Sequence, residues 1–156
     1  MRNIFLYGVP GSGKTRTSIT MSKELGLELI EADTLKAGLN IPVTCQAWKQ
    51  FGGLDKENAI KGLLFVRDRL RNIVRDAIDT RENILIEGAF LDPHDLMQWG
   101  QGILVVTRNY EKHHGQFFIH RQASEETKSE FAAARIVQEF LIEEATRIDI
   151  KIHENL

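Results

Sequence analysis

The sequence contains a single cysteine, Cys45, among 156 residues. An intramolecular disulfide and a zinc site built on several thiolates are both excluded. A lone thiol suits a reducing cytosol, and Cys45 reads as a small buried residue of the core. Long apolar runs are also lacking: none approaches the roughly 18 residues of a membrane span. The opening run 3–7 is too short for a signal peptide and leads straight into glycines, so it reads as a strand. Nor is there an excess of charge of one sign. The net charge of −2 provides no overall field to draw the protein onto nucleic acid or an anionic membrane, so neither is an expected partner. With 42% hydrophobic and 27% charged residues, disordered, collagenous and low-complexity classes are excluded. The chain reads as one domain, 1–156, cytoplasmic, without repeats or linkers.

Runs 3–7, 27–32, 83–87, 103–107 and 148–152 have the length of strands and do not alternate, as strands buried on both faces of a parallel sheet should not. Helical periodicity lies between them. In 14–25 it rests on Ile19 and Leu25, with Gly26 placed to stop the helix. Over 56–79, capped by Asp55, a stripe of Ile60, Leu63, Leu64, Leu70, Ile73, Val74, Ala77 and Ile78 leaves Arg67, Asp68, Arg71, Arg75 and Asp76 mostly on a solvated face. Asp92-Pro93 opens a short helix. A last helix over 125–146 has Thr127 and Glu130 as its expected capping box. Segment 108–124 shows no period. Strands alternating with helices predict a three-layer α/β fold, a five-stranded parallel sheet with helices on both faces.

Gly8-Val9-Pro10-Gly11-Ser12-Gly13-Lys14-Thr15 fits the phosphate-loop pattern G-x-x-x-x-G-K-[ST] in full, between a strand and a helix. The glycines let successive N–H groups turn toward phosphate oxygens, and the helix start adds partial positive charge. Gly8, Pro10, Gly11, Ser12, Gly13, Lys14, Thr15 and Arg16 are the expected ATP-binding set. Lys14 should reach the β- and γ-phosphates and Thr15 should hold Mg²⁺ through its hydroxyl.

The carboxyl ends of strands in an open α/β sheet face the ligand crevice. Asp33, just after the second strand, is therefore a candidate to take the proton of an acceptor hydroxyl or to help hold Mg²⁺ through water; its structural alternative is a helix cap. Glu87-Gly88 ends the third strand, where Glu87 could serve Mg²⁺ through water or position an acceptor, and Gly88 would let substrate approach the backbone. Segment 108–128, after the fourth strand, is a candidate lid whose closure would exclude water. Arg108 and Arg121 are candidates to neutralise the transferring phosphoryl group, with surface ion pairs as the alternative. His113, His114 and His120 cluster without the acid or thiolate spacing of a metal site. Trp48, Phe51 and Gly52-Gly53 either shape an acceptor lobe or pack.

No guanine-reading N/T-K-x-D follows a later strand, and AAA-type machines and helicases call for longer chains. The short chain resembles the small kinases of the P-loop class, among them shikimate, gluconate and nucleoside monophosphate kinases. Several segments together are similar to the archaeal 2-phosphoglycerate kinase family: the phosphate loop, 27–33, Ile84-Leu85-Ile86-Glu87-Gly88 to Leu91-Asp92-Pro93, Glu111-Lys112-His113-His114 to His120-Arg121, and Phe131 through Arg135 to Ala145. That resemblance implies phosphoryl transfer from ATP to the hydroxyl of 2-phosphoglycerate, with Arg121 catalytic and Arg135 in the acceptor site. The family's pattern carries histidine where this chain has Phe90 and arginine near Lys36. Both positions adjoin the acceptor crevice, so the acceptor stays open.

The expectation is an ATP- and Mg²⁺-dependent small-molecule kinase with Lys14, Asp33 and Arg121 catalytic and Asp33, Glu87, Gly88 and Arg135 around the acceptor. The alternatives are a nucleotide or nucleoside kinase and a non-catalytic ATP-binding regulatory module.

Overall fold

The computed structural model describes residues 2–156. Among them five strands form one sheet in the order β2-β3-β1-β4-β5, and every pairing is parallel. The strands are β1 (Ile4–Tyr7), β2 (Glu28–Glu31), β3 (Ile84–Glu87), β4 (Gln101–Val106) and β5 (Lys151–Glu154). The main helices are α1 (Lys14–Leu25), α2 (Lys56–Ile78), α3 (Pro93–Leu96), α4 (Tyr110–Phe118) and α5 (Glu125–Arg147), with short 3₁₀ turns at Ala32–Lys36 and Ala47–Gln50.

The central strand explains the layering. Phe5 and Tyr7 point into a large core shared with α2, α5 and Phe117 of α4, whereas Ile4 and Leu6 point into a smaller one with Leu27, Leu85, Ile103 and Val105. Right-handed crossovers require this division. The chain moves one way from β1 to β2, putting α1 on one face, then reverses, putting the later helices on the other. The loops after β1 and β3 therefore open side by side at the carboxyl edge of the sheet.

α1 sits on its face differently from the expected pattern. Ile19 and Leu25 are exposed, and Ser18 and Ser22 are the buried residues. Each hydroxyl bonds to a carbonyl of its own helix, Ser18 to Thr15 at 2.8 Å and Ser22 to Ile19 at 2.9 Å, so the short side chains bury their polar atoms satisfied.

α2 corrects the expectation of a solvated arginine face. Arg67 and Glu144 of α5 are both buried, at 3% and 2% exposure, and form two parallel bonds of 2.9 Å. Arg71 pairs with Asp92 and Arg75 with Asp95, so these arginines tie α2 to α3. Arg69 lies over the Phe65 ring, and Leu64, expected in the stripe, is exposed.

Three boundaries also shift. The capping box of α5 is Ser124 with Thr127, not Thr127 with Glu130. β5 starts at Lys151 because 148–150 stop α5, with Asp149 at φ 61° and the Ile150 N–H bonded to the Ala145 carbonyl. Segment 108–124 contains α4, whose inward positions are His113 and Phe117, one turn apart. Because one of them is a histidine, no apolar period shows.

Breaking a buried pair strands the remaining charge, whereas removing both members does not. Arg67→Met should lower the urea unfolding free energy by about 3–5 kcal/mol, and Arg67→Met/Glu144→Leu should recover most of that loss. A loss under about 1 kcal/mol for the single variant would show that the pair does not hold α2 against α5.

Candidate active site

The phosphate loop joins β1 to α1. Gly11 and Gly13 have φ of 79° and 97°, a region that side chains strongly disfavour. A Cβ on Gly11 would lie 2.9 Å from the Phe117 Cα, so this glycine also lets α4 lie directly on the loop. α1 begins without a side-chain cap and without an acidic residue in its first turn. Its leading N–H groups are open to an anion, and no hydrogen bond among the described residues takes up the N–H of Gly11 or Gly13. Lys14 is half-buried, outside every salt bridge of the described residues, and Thr15 and Arg16 are exposed. This arrangement fits the polyphosphate of a nucleotide.

The sheet brings three acids to the same edge. Glu31 and Glu87 are register partners at the ends of β2 and β3, and Asp33 is exposed inside the 3₁₀ turn that follows, not at its cap. Gly88 donates its N–H to the Leu6 carbonyl at 3.1 Å, and a Cβ there would lie 2.8 Å from that of Ala32. Glu87 is 6% exposed, and its Oε2 has no hydrogen-bond partner among the described residues. Burial raises its pKa, Lys14 opposes that shift, and Asp33 and Glu31 add to it. The electrostatics thus unite Lys14, Glu87, Asp33 and Glu31. A buried carboxylate oxygen lacking a partner, next to the phosphate loop, fits a water of a hydrated Mg²⁺. Among the described residues no three His, Cys, Asp or Glu side chains gather as a metal-holding group, so direct protein ligation would rest on the Thr15 hydroxyl.

The arginine candidates are placed less directly. Arg121 donates to the Phe117 carbonyl at 2.7 Å and lies over the Phe117 ring. Its charge and that of Lys14 both bear on Cys45, a fully buried thiol whose pKa burial pushes up to about 12. Arg121 is thus folded back on α4. Arg108 forms a surface ion pair with Glu154. Arg135 donates to the carbonyls of Thr107 and Arg108 at 3.1 and 3.0 Å and to His113 Nδ1 at 3.2 Å. Its donors are therefore directed at the carbonyls that follow β4.

The expected lid is also revised in its first half. α4 is packed against the loop through the wholly buried His113 and Phe117. His113 Nε2 lies 3.0 Å from the Pro10 carbonyl, and His114 belongs to an aromatic cluster with Phe118 and Phe131. Sequence reasoning missed Thr107, Gln116 and Gln138, which bond around the loop and the end of β4. They match no motif and read as ordinary polar residues.

Residues 4–138 match the family described as an AAA domain. The chain belongs to that family. Solved structures match this chain along its whole length. Deoxyadenosine kinase from M. mycoides with bound dATP is 16% identical, covering 100% of this chain and 91% of its own, with a TM-score of 0.58. Shikimate kinase from Acinetobacter baumannii in complex with shikimate is 15% identical, covering 100% and 84%, with a TM-score of 0.57. Shikimate kinase from Bacteroides thetaiotaomicron is 14% identical, covering 98% and 85%, with a TM-score of 0.60. No curated protein matches the sequence. The fold of this AAA-domain chain is thus the P-loop kinase fold, and none of these neighbours bears on 2-phosphoglycerate.

Glu87 binds its proton more tightly in the folded chain than a free carboxyl does, so stability is lost as pH rises through the carboxylate range toward its raised pKa. Glu87→Gln should therefore melt higher than wild type at pH 7, and the difference should shrink as pH falls to 4. Equal melting temperatures at both pH values would show that Glu87 carries no burial cost.

Proposed function

We propose that this chain is an ATP-dependent phosphotransferase that moves the γ-phosphoryl group to a hydroxyl or phosphate of a small molecule. The observation that carries this reading is the glycine-shaped loop: among the described residues the N–H groups of Gly11 and Gly13 take up no hydrogen bond and Lys14 no salt bridge, and the acids Asp33 and Glu87 stand across from it. Gly8, Pro10, Gly11, Ser12, Gly13, Lys14, Thr15 and Arg16 make up the nucleotide-phosphate site: Lys14 acts by charge, Gly11, Gly13 and the start of α1 by their N–H groups, and Pro10, which has no N–H, only shapes the turn. Mg²⁺, held directly by Thr15 and through water by Asp33 and Glu87, supplies charge neutralisation at the phosphate oxygens. Asp33, exposed at the crevice, takes the proton of the acceptor hydroxyl while its oxygen bonds to the γ-phosphorus and the bond to the ADP oxygen breaks. Arg121 swings from Phe117 to the developing charge. Gly88 leaves room at the backbone for the acceptor.

A phosphorylated hydroxy acid such as 2-phosphoglycerate is the acceptor class best supported. The two positions that depart from the 2-phosphoglycerate kinase pattern meet each other: the Lys36 ammonium lies 5.5 Å over the Phe90 ring. That cation stands beside the crevice, where an anionic group would be held. The likeness in fold to deoxyadenosine kinase favours a nucleoside acceptor as the second reading.

ADP release from Mg-ATP across phosphorylated hydroxy acids, other hydroxy acids, sugars, nucleosides and nucleoside monophosphates tests both, with Lys14→Ala as blank. One acceptor should raise release far above the blank. ATP binding without turnover on any acceptor would favour a regulatory module. With that acceptor, Asp33→Asn should lower kcat by about a hundredfold or more while leaving MgATP affinity within a few-fold. Unchanged turnover would remove Asp33 from the proton path.

A further inference from the structure

The phosphate loop is held by its carbonyls. Those of Val9 and Gly13 are taken up within the loop and α1, by the N–H groups of Ser12 and Thr17. The three between them are taken up by side chains from other elements. His113 meets the Pro10 carbonyl at 3.0 Å, Gln116 donates to that of Gly11 at 2.6 Å, and the Thr107 hydroxyl donates to that of Ser12 at 2.9 Å. Asn155, just beyond β5, links the last two. Its amide donates to the Gln116 Oε1 at 2.9 Å and reaches the Ser12 carbonyl at 3.3 Å.

Peptide geometry turns this grip into aim. The peptide unit is planar and trans, so a carbonyl and the following N–H point in opposite directions. Fixing the carbonyls of Pro10 and Ser12 on the α4 and β5 side aims the N–H groups of Gly11 and Gly13 to the other side. Neither of these N–H groups is taken up by a bond of the described residues. The clamp itself leaves little freedom. A carbonyl only accepts and a guanidinium only donates, so between Pro10 and Arg135 the His113 ring is neutral with its proton on Nε2. Arg135 on α5 and His114 on α4 are the charged or titratable groups set against that ring, and the loop presents it with a carbonyl.

We infer that Gln116, Asn155 and neutral His113 are positioning residues that orient the phosphate loop for nucleotide before nucleotide arrives. This inference rests on the nucleotide-binding reading proposed above. It assigns function to α4, within the expected lid, and to Asn155, both acting through the carbonyls of the loop.

The experiment is titration of the full chain with MgADP, alongside thermal melting. Gln116→Ala and Asn155→Ala should each weaken binding about three- to tenfold, the size of an uncharged hydrogen bond, with cooperative melting kept. The double variant should lose less than the product of the two, because the two amides share a bond. Lys14→Ala separates the readings. If wild type and Lys14→Ala both fail to bind, or bind alike, the nucleotide reading itself fails. If Lys14→Ala loses binding while both amide variants bind as wild type does, the clamp is overturned and that reading stands. Should an amide variant fail to melt cooperatively, backbone ¹⁵N relaxation of the ligand-free wild type decides. Gly11 and Gly13 as rigid as α1 agree with the clamp, and a loop that becomes rigid with MgADP alone overturns it.

Discussion

A phosphate-binding loop has to leave backbone N–H groups unpaired and still keep one shape. Unpaired groups stabilise nothing until the anion is bound, and glycines at positive φ make the free loop still more costly to order. Here the carbonyl side bears the whole structural load. Each carbonyl from Val9 to Gly13 is hydrogen-bonded, three of them to side chains that arrive from β4 and α4. Much of the remaining architecture can be understood as the means of delivering those side chains. β4 beside β1 brings Thr107, the packing of Phe117 seats α4 on Gly11, and β5 beyond β4 brings Asn155.

The two faces of the sheet do different work. On the α1 face, serines let the helix lie close to the strands, so its N-terminus is set directly behind the loop. On the other face the tie is ionic as well as apolar, with Arg67 and Glu144 joining α2 to α5 inside the core. His94 touches the same carboxylate at 3.1 Å from the surface side. Such a pair adds less net stability than an apolar replacement of equal shape, but losing either member leaves the other charge buried. It therefore sets which helix α2 meets, and through α5 it holds Arg135 and Gln138 at the end of β4.

The crevice balances opposed charges. Glu31 and Asp33 bear on Glu87 with one sign and Lys14 with the other. Burial raises the pKa of Glu87 and the Lys14 charge opposes that shift. Cys45 lies within reach of the Lys14 and Arg121 charges but is buried enough to remain a thiol, in keeping with a packing role.

The sequence by itself determined the phosphate loop, the parallel α/β class and the succession of strands and long helices. The loop is a contiguous motif, and strands buried on both faces leave unbroken apolar runs that need no partner to be recognised. It also marked Asp33 and Glu87, because residues at strand ends inherit their position from the strand. Only the tertiary structure decided the rest. α4 was hidden because its inward face is built from His113 as much as from Phe117. Arg67 read as solvent-facing because its partner Glu144 is distant in the chain, and helical periodicity knows nothing of a partner on another helix. The bonds of Arg135 to the carbonyls of Thr107 and Arg108 were hidden for the same reason. Local pattern reports what a residue does within its own element. A polar side chain's role depends on where its hydrogen-bonding partner is carried by the fold, and that is set by how the strands are ordered in the sheet.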